Sequence, residues 1–451
     1  MSRKLFGTDG IRGDASAYPL DDATMFALGR ALVRVLRKTG QSEIVLIGRD
    51  TRESGPRIAQ ALASGAHAEK GRVEDGGIIP TPAVAWITNE LDFGAGISIS
   101  ASHNPWEDNG IKIFGHDGMK FPDEFEASLE RDLEELREDS IPPAVYDVAD
   151  AHNLVEMYED FLVRTVGERA LEGMRIGIDP GNGAAFRIAP EVFERVGAEV
   201  VVINAAPDGK NINLDSGALH PEKLGEIVVR EGLDLGAAFD GDADRAIFVD
   251  DSGRVRDGDE VLYLWGRWLF ERDALTQATI VSTVMSNLGF ERKLGSHGIR
   301  LVRAQVGDKY VLEKLIELGA VLGGEQSGHV IDLDHHTTGD GIMTALFLST
   351  IIAGSKKKFS EIETFESVPQ ILVNRKVASK PPLENLSNFS SELSAIESSM
   401  AGRGRVLVRY SGTEPKVRVM VEGDDQTEIE TIAVRLADLL ESDIAALQPR
   451  D

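Results

Sequence analysis

The chain has 451 residues, 42% of them apolar and none of them cysteine, and a formal net charge of −27. That length suits several packed domains, while the missing cysteine excludes disulfides, thiolate metal sites and cysteine nucleophiles and fits a reducing, cytoplasmic setting. So acidic a chain lacks the basic surface that a nucleic-acid partner needs, and an anionic small substrate would require a local basic pocket.

In chain order, the start MSRKLFGTDG has two basic residues but no apolar run of the kind a signal peptide carries. EIVLIGRD at 43–50 is an apolar run with a polar end, followed by the helical stretch GPRIAQALASGAHAEKG. Next comes GISISASHNPWEDNGIKIF at 96–114. Its alternation from Ile97 to Ala101 predicts a strand, NP ends it, and DNG turns the chain into IKIF. MRIGIDPGNG at 174–183 repeats the plan, with helix RIAPEVFERVG and strand AEVVVIN after it. A third copy begins at TIVSTVMSN, 279–287, and continues through IRLVRAQVGD, helix VLEKLIELG and strand AVLGGE. No sequence identity links the three, so the repeat is architectural. Such units predict three α/β domains with mostly parallel, doubly wound sheets.

The longest membrane-like run, GIMTALFLSTIIAG, has 14 residues. A spanning helix needs roughly 20, so this one reads as a buried helix and no membrane partner is expected. The tail differs: QILVNRKVA, a helical stretch, GRVLVRY, KVRVMVEG and a last helix predict a smaller C-terminal α+β domain. Ile429, Ile432, Leu436, Leu439 and Leu440 form that helix's apolar stripe. Linker-like composition at EDSIPPAVYD (138–147), DDSGRVRDGD (250–259) and near 366–370 divides the chain into four domains, 1–150, 151–252, 253–367 and 368–451.

Ligands of parallel sheets gather at the carboxyl ends of strands, and three loops there carry chemistry. In the first, Ser102 lies at or just past a strand end, where its side chain can leave the sheet face; Ser98 and Ser100 lie earlier and read as structural. A serine-hydrolase elbow needs G-x-S-x-G before a helix, and none surrounds Ser102. In the second, FDGDADR, the carboxylates Asp240, Asp242 and Asp244 alternate. Alternate residues of an extended strand stand ~6–7 Å apart, whereas magnesium holds oxygen at ~2.1 Å. Three carboxylates share one ion only if the chain curves, and Gly241 and Ala243 leave room for that. A calcium EF-hand also opens D-x-D-x-D, but it needs glycine sixth and glutamate twelfth. Here those positions hold Arg245 and Asp251. A solvated acidic turn is the other reading.

A phosphorylated serine would add a fourth hard oxygen and bring a cluster of net charge near ~−5. Like charges at ~4 Å repel by about 4 kcal/mol per pair at an effective dielectric of ~20. Such a cluster needs a divalent ion and cations, for which Arg245, Lys112 and Arg12 are candidates. The third loop, VRYSGTEPKVRVMVEG at 408–423, suits a phosphate. Ser411, Gly412 and Thr413 can form a backbone nest, and Arg409 and Arg418 supply planar donors. A fourth loop, GGEQSGHVI at 323–331, offers Glu325, Ser327 and His329 for sugar hydroxyls; a polar hairpin fits the spacing equally well.

Taken together, KLFGTDGIRG, ISASHNPWEDNGIKIF, FDGDADR, GGEQSGH, TTGDG and RYSGTEPKVRVMVEG occur in the order of the α-D-phosphohexomutase superfamily, which the chain resembles from residue 4 to 423. The resemblance implies four domains around a central cleft and a phosphomutase acting on a phosphorylated sugar. It implies that Ser102 is a phosphoserine and that its phosphate, Asp240, Asp242 and Asp244 bind one Mg2+. It further implies that Glu325 and Ser327 meet the sugar, that Arg409, Ser411, Gly412, Thr413 and Arg418 hold the non-reacting phosphate, and that Thr8, Arg12, His103 and Lys112 line the reacting end. Gln326 resembles the glucosamine branch, which implies isomerisation of glucosamine 6-phosphate to glucosamine 1-phosphate through glucosamine 1,6-bisphosphate. The general acid and base fall among His103, Asp308, Lys309 and His329. A homodimer follows by analogy alone. Tyr410 stands where the family carries proline. The rival readings are a phosphomannomutase or phosphoglucomutase, a metal-dependent sugar phosphatase, and a non-catalytic sugar-phosphate binding protein.

Overall fold

In a computed structural model, the described residues are 5–7, 9–137, 149–410 and 415–447. They belong to two compact units, Met1–Thr283 with Val302–Glu363, and Val284–Leu301 with Thr364–Asp451. The expected linker at 138–147 lies outside the described residues.

The first unit contains the three expected α/β layers. In the first sheet, Ile44–Arg49 runs parallel to both Arg72–Ile78 and Ala95–Ile99. In the second, Arg175–Asp179 lies parallel to Glu199–Val202 and Leu235–Phe239. In the third, Thr279–Thr283 runs parallel to Leu322–Gly324. Central strands such as Ala95–Ile99 and Leu235–Phe239 are buried at every position, because helices cover both faces. The helix Asp22–Thr39 starts at Asp21, whose side chain accepts from the Thr24 N–H, and stops at Gly40 with φ 71°. It packs on the helix Gly55–Ala68 at glycine contacts. A Cβ at Gly29 would lie 2.1 Å from the Leu62 carbonyl oxygen, and one at Gly65 would lie 2.0 Å from that of Phe26.

The sheets are doubly wound but not purely parallel. Each closes with an antiparallel hairpin: Ala95–Ile99 with Asp108–Gly115, Leu235–Phe239 with Ala246–Asp250, and Leu322–Gly324 with Val330–Asp332. The connections, 100–107, 240–245 and 325–329, are too short for a crossover helix, which takes about a dozen residues or more, so the chain must turn straight back. These three connections are the chemistry-bearing loops of the first unit. Each still begins at the carboxyl end of a parallel strand, where ligands of such sheets gather.

The apolar run 341–354 forms the helix Gly341–Ser355, buried from Gly341 through Ser349. Among the described residues no helix is long and apolar enough to cross a membrane. Asp340 caps this helix, its Oδ1 accepting from the Met343 N–H at 2.9 Å, and the Tyr158 hydroxyl donates to its Oδ2 at 2.7 Å. Burial lifts the Asp340 carboxyl from its ordinary value of 3.8 to about 6. Between those two values the folded chain binds a proton that the unfolded chain has lost. The resulting stability is therefore present below pH ~4 and lost as pH rises through 6, a contribution of about 3 kcal/mol. Asp340→Asn keeps the cap and should flatten that slope. Urea-unfolding midpoints of parent and variant from pH 4 to 7 will test it, and parallel curves would refute it.

In the second unit, Lys416–Gly423 lies between Gln370–Lys376 and Gly404–Tyr410 in an antiparallel sheet. The helices Ser387–Met400 and Gln426–Ala446 belong with it, as the tail predicts. Along the last helix Ile429, Leu436 and Leu440 are buried and Ile432 packs against the core. Leu439 is only half-buried, and Ala433, Ala437 and Ile444 complete the face.

Candidate active site

Ser102 stands in the first hairpin loop with a left-handed backbone, φ +51°, and is almost wholly buried. Its Oγ donates to Asp240 Oδ2 at 2.6 Å and lies 3.2 Å from His103 Nδ1. Ser100, expected to be structural, accepts the Ser102 N–H at 2.9 Å and donates to Asp50.

Asp240, Asp242 and Asp244 are all buried, and each offers a carboxylate oxygen within 4.8 Å of the other two. The curvature needed for this comes from Ala243, at φ +55°. Gly241 is required by close approach, since a Cβ there would lie 2.5 Å from the Ser102 carbonyl oxygen. Burial, then the charges of Asp244 and Asp242, push the Asp240 carboxyl well above its ordinary range. Asp244 moves the other way: burial opposes its charge, but Lys112 and His329 outweigh that. Asp242 Oδ1 and Asp244 Oδ1 are buried oxygens with no hydrogen-bond partner. Three convergent carboxylates, two of them with a buried oxygen that lacks a partner, fit a divalent cation such as Mg2+.

Lys112 is the cation of this cluster. Its Nζ donates to Asp242 Oδ2 at 2.9 Å and Asp244 Oδ2 at 2.8 Å and lies 3.4 Å from Asp9. Burial alone would discharge it, but these carboxylates hold its pKa well above the ordinary lysine value. Arg245 lies 3.8 Å from Asp244. Arg12 donates to Asp9, which also accepts from Lys120. Burial, then Arg245 and Arg12, lower His103 to about 4, so at neutral pH it is an uncharged imidazole.

The third hairpin loop meets the second through His329, whose Nδ1 lies 3.7 Å from Asp244 and whose Nε2 lies 3.9 Å from Asp308. Glu325 accepts the Gly307 N–H at 3.0 Å, with Ser327, which is exposed, 3.5 Å from its other oxygen. Gln326 donates to Asp257 at 3.0 Å. Of the remaining acid and base candidates, Asp308 pairs with Lys120 and Lys309 with Asp123. The structure thus brings Ser102, His103, Lys112, Arg245, His329 and the aspartate triplet together.

In the second unit, Arg409 sits directly opposite Arg418 in the strand register. Burial, then the facing arginine, lower the Arg409 pKa. Like charges placed so oppose folding unless an anion lies between them. Thr8, Ser411, Gly412 and Thr413 lie outside the described residues.

Sequence reasoning missed several groups. Asp9 gathers Lys112, Lys120 and Arg12, and burial opposes its charge less than those three cations favour it. Thr81 donates to Asp242 at 2.6 Å, and its N–H donates to the Asp242 carbonyl. Asp50 and Arg52 are missed too, although they stand at the carboxyl end of the strand Ile44–Arg49, a position that by itself marks ligand loops.

Family models match nearly the whole chain: phosphoglucomutase/phosphomannomutase α/β/α domain I at 3–140, domain II at 156–253, domain III at 257–367 and the C-terminal domain at 372–439. The phosphoglucosamine mutase of Solibacter usitatus is 48% identical over 98% of this chain and 99% of that protein. The phosphoglucosamine mutase of Myxococcus xanthus is 46% identical over 97% of each. A phosphoglucomutase/phosphomannomutase family protein of Burkholderia thailandensis has a similar fold, with TM-score 0.81, 24% identity and 98% of each chain covered. So does Aspergillus fumigatus N-acetylphosphoglucosamine mutase, solved with GlcNAc-6P and magnesium, at TM-score 0.68 and 17% identity over 98% of this chain and 96% of that one.

Proposed function

The chain belongs to the phosphoglucomutase/phosphomannomutase family and, within it, to the phosphoglucosamine mutases, and from that premise we propose how its residues interconvert glucosamine 6-phosphate and glucosamine 1-phosphate. The observation that carries the proposal is the Ser102 hydroxyl, 2.6 Å from Asp240 inside a buried carboxylate triplet.

Ser102 carries the phosphoryl group. The sugar's O1 attacks phosphorus, the P–Oγ bond breaks as the P–O1 bond forms, the O1 proton leaves to a base, and the freed Ser102 Oγ takes up a proton. The 1,6-bisphosphate then turns over, and its 6-phosphoryl group returns to Ser102. Asp240, Asp242 and Asp244, with a phosphoserine oxygen, would hold one Mg2+ per chain, which when bound offsets charge on the phosphoryl oxygens. Lys112, charged and fixed between Asp242 and Asp244, cannot act as a free base; it serves as an electrostatic stabiliser beside the phosphoryl group, as do Arg245 and Arg12. Neutral His103, 3.2 Å from Oγ, can accept a proton. His329, between Asp244 and Asp308, is placed to relay one.

Glu325 and Ser327 bind sugar hydroxyls, while Arg409 and Arg418, with Ser411, Gly412 and Thr413, bind the phosphate that is not being transferred. These roles belong to four domains bounded at 1–150, 151–252, 253–367 and 368–451, in a chain that works in the cytoplasm, as a homodimer by analogy. Rates on glucosamine, glucose and mannose phosphates, with inorganic phosphate followed in the same assay, decide the matter. Glucosamine phosphate is expected to be isomerised fastest with no steady phosphate release. Preference for glucose or mannose phosphate, or release matching substrate loss, would contradict the assignment.

A further inference from the structure

Phosphoryl transfer depends on where Ser102 Oγ points, and that direction is strained. A left-handed serine costs roughly 1–2 kcal/mol and persists only where its surroundings over-determine it. Here both flanks of Ser102 are pinned. Its N–H donates to Ser100 Oγ, which in turn donates to Asp50. Its carbonyl accepts from Arg52 Nη2 at 3.0 Å and from Asn213 Nδ2 at 2.9 Å. The same two donors reach the Asn104 carbonyl, at 2.9 and 3.2 Å, and Arg52 Nη1 reaches that of Pro105 at 2.6 Å. Asp50 joins the two flanks, because it also accepts from Arg52 Nε at 2.9 Å.

The Asp50 and Arg52 side chains are wholly buried as an ion pair. Such a pair is a poor way to gain stability, since desolvation offsets most of the attraction. What it does here is aim a planar fork at three carbonyls of the loop, those of Ser102, Asn104 and Pro105. Asn213 comes from a different part of the chain, the segment that follows Glu199–Val202 in the sheet bearing the aspartate triplet. Gly241 of the triplet loop approaches the same Ser102 carbonyl closely enough to forbid a side chain.

We propose that Arg52 and Asn213 are positioning residues that clamp the Ser102 carbonyl from both sheets, so that the nucleophile's direction and its register on the aspartate triplet are set together. This rests on Ser102 being the phosphoryl carrier. With both flanks held, rotation about the serine side chain is the only freedom left, and Oγ lies against Asp240. Loosening either donor lets the loop relax toward an ordinary backbone and moves Oγ off line.

The test uses Asn213→Ala and Arg52→Lys in the full chain, with Val73→Ala, a core change elsewhere in the first sheet, as a stability control. A misplacement of about 1 Å costs on the order of 10²-fold in rate. Accordingly kcat should fall ~10-fold in Asn213→Ala and ~100-fold in Arg52→Lys, with KM for glucosamine 6-phosphate within ~2-fold of the parent. The Mg2+ concentration for half-maximal activity should rise in both, while Val73→Ala lowers the unfolding midpoint and leaves kcat unchanged. The inference is overturned if both variants keep kcat within ~2-fold of the parent. It is equally overturned if kcat merely follows the unfolding midpoint in all three variants. Intact mass separates this from failure of the underlying reading: a parent enzyme that turns over without phosphate on Ser102 removes both, whereas a phosphorylated parent beside fully active variants removes only the clamp.

Discussion

Ser102→Ala will lower mutase turnover by ~10⁴-fold or more, even with the 1,6-bisphosphate supplied. The substitution deletes the proposed phosphoryl carrier, and among the described residues no neighbouring hydroxyl is free to replace it. Ser100 Oγ is occupied with the Ser102 N–H and Asp50. Thr81 Oγ1 is held by Asp242 and Ser98. Folding should survive. Alanine is no more strained at φ +51° than serine, the Ser102 carbonyl keeps both donors, and Asp240 keeps the Arg245 N–H at 3.2 Å. Steady-state rates with matched circular dichroism will measure this, and intact mass should lose the ~80 Da addition of the phosphorylated parent. A folded Ser102→Ala enzyme with parental turnover would end the phosphoserine assignment.

Chelating divalent ions will bring activity to background, and added Mg2+ will restore it. The sharper form of this prediction concerns stability. Three buried carboxylates repel one another, and without metal burial and that repulsion push the Asp240 carboxyl up. Metal binding relieves that repulsion only in the folded chain, so Mg2+ at 100 times its Kd should stabilise the parent by about 2.7 kcal/mol. Asp240→Asn removes one of the three carboxylates that repel one another in the metal-free protein. Without metal the variant should therefore be at least as stable as the parent, yet gain little from Mg2+ and lose ~10²-fold or more in kcat. Thermal unfolding with and without Mg2+ gives the readout. An Asp240→Asn protein that retains both the Mg2+-induced shift and the activity would show that the triplet is not the metal site.

Both predictions concern residues named from the sequence. Local chemistry nominated them, through three alternating carboxylates and a serine at a strand end, and the family resemblance supplied the roles expected of them. The helical and strand periods likewise marked the α/β units and the last helix's stripe, since one-sided burial leaves a repeat visible in one dimension, while the buried helix at 341–354 was legible from the length of its apolar run. Parallel order within the sheets was legible, as were the turn before IKIF and a hairpin reading at 323–331; that an antiparallel hairpin closes all three sheets was not, because an apolar run carries no direction and only the short connection forces the chain back.

What the sequence by itself determined is the inventory: which hydroxyl, which carboxylates, which cations, and the loops that bear them. Tertiary structure decided what each group faces, and with that its charge. Lys112 is a locked cation because Asp242 and Asp244 outweigh its burial, and His103 is a neutral ring because of burial and then Arg245, all three neighbours lying far away in the chain. The clamp on Ser102 was invisible for the same reason. Arg52 and Asn213 lie 50 and 111 positions from the serine they hold, and a hydrogen bond to a backbone carbonyl leaves no pattern in the residues at its accepting end.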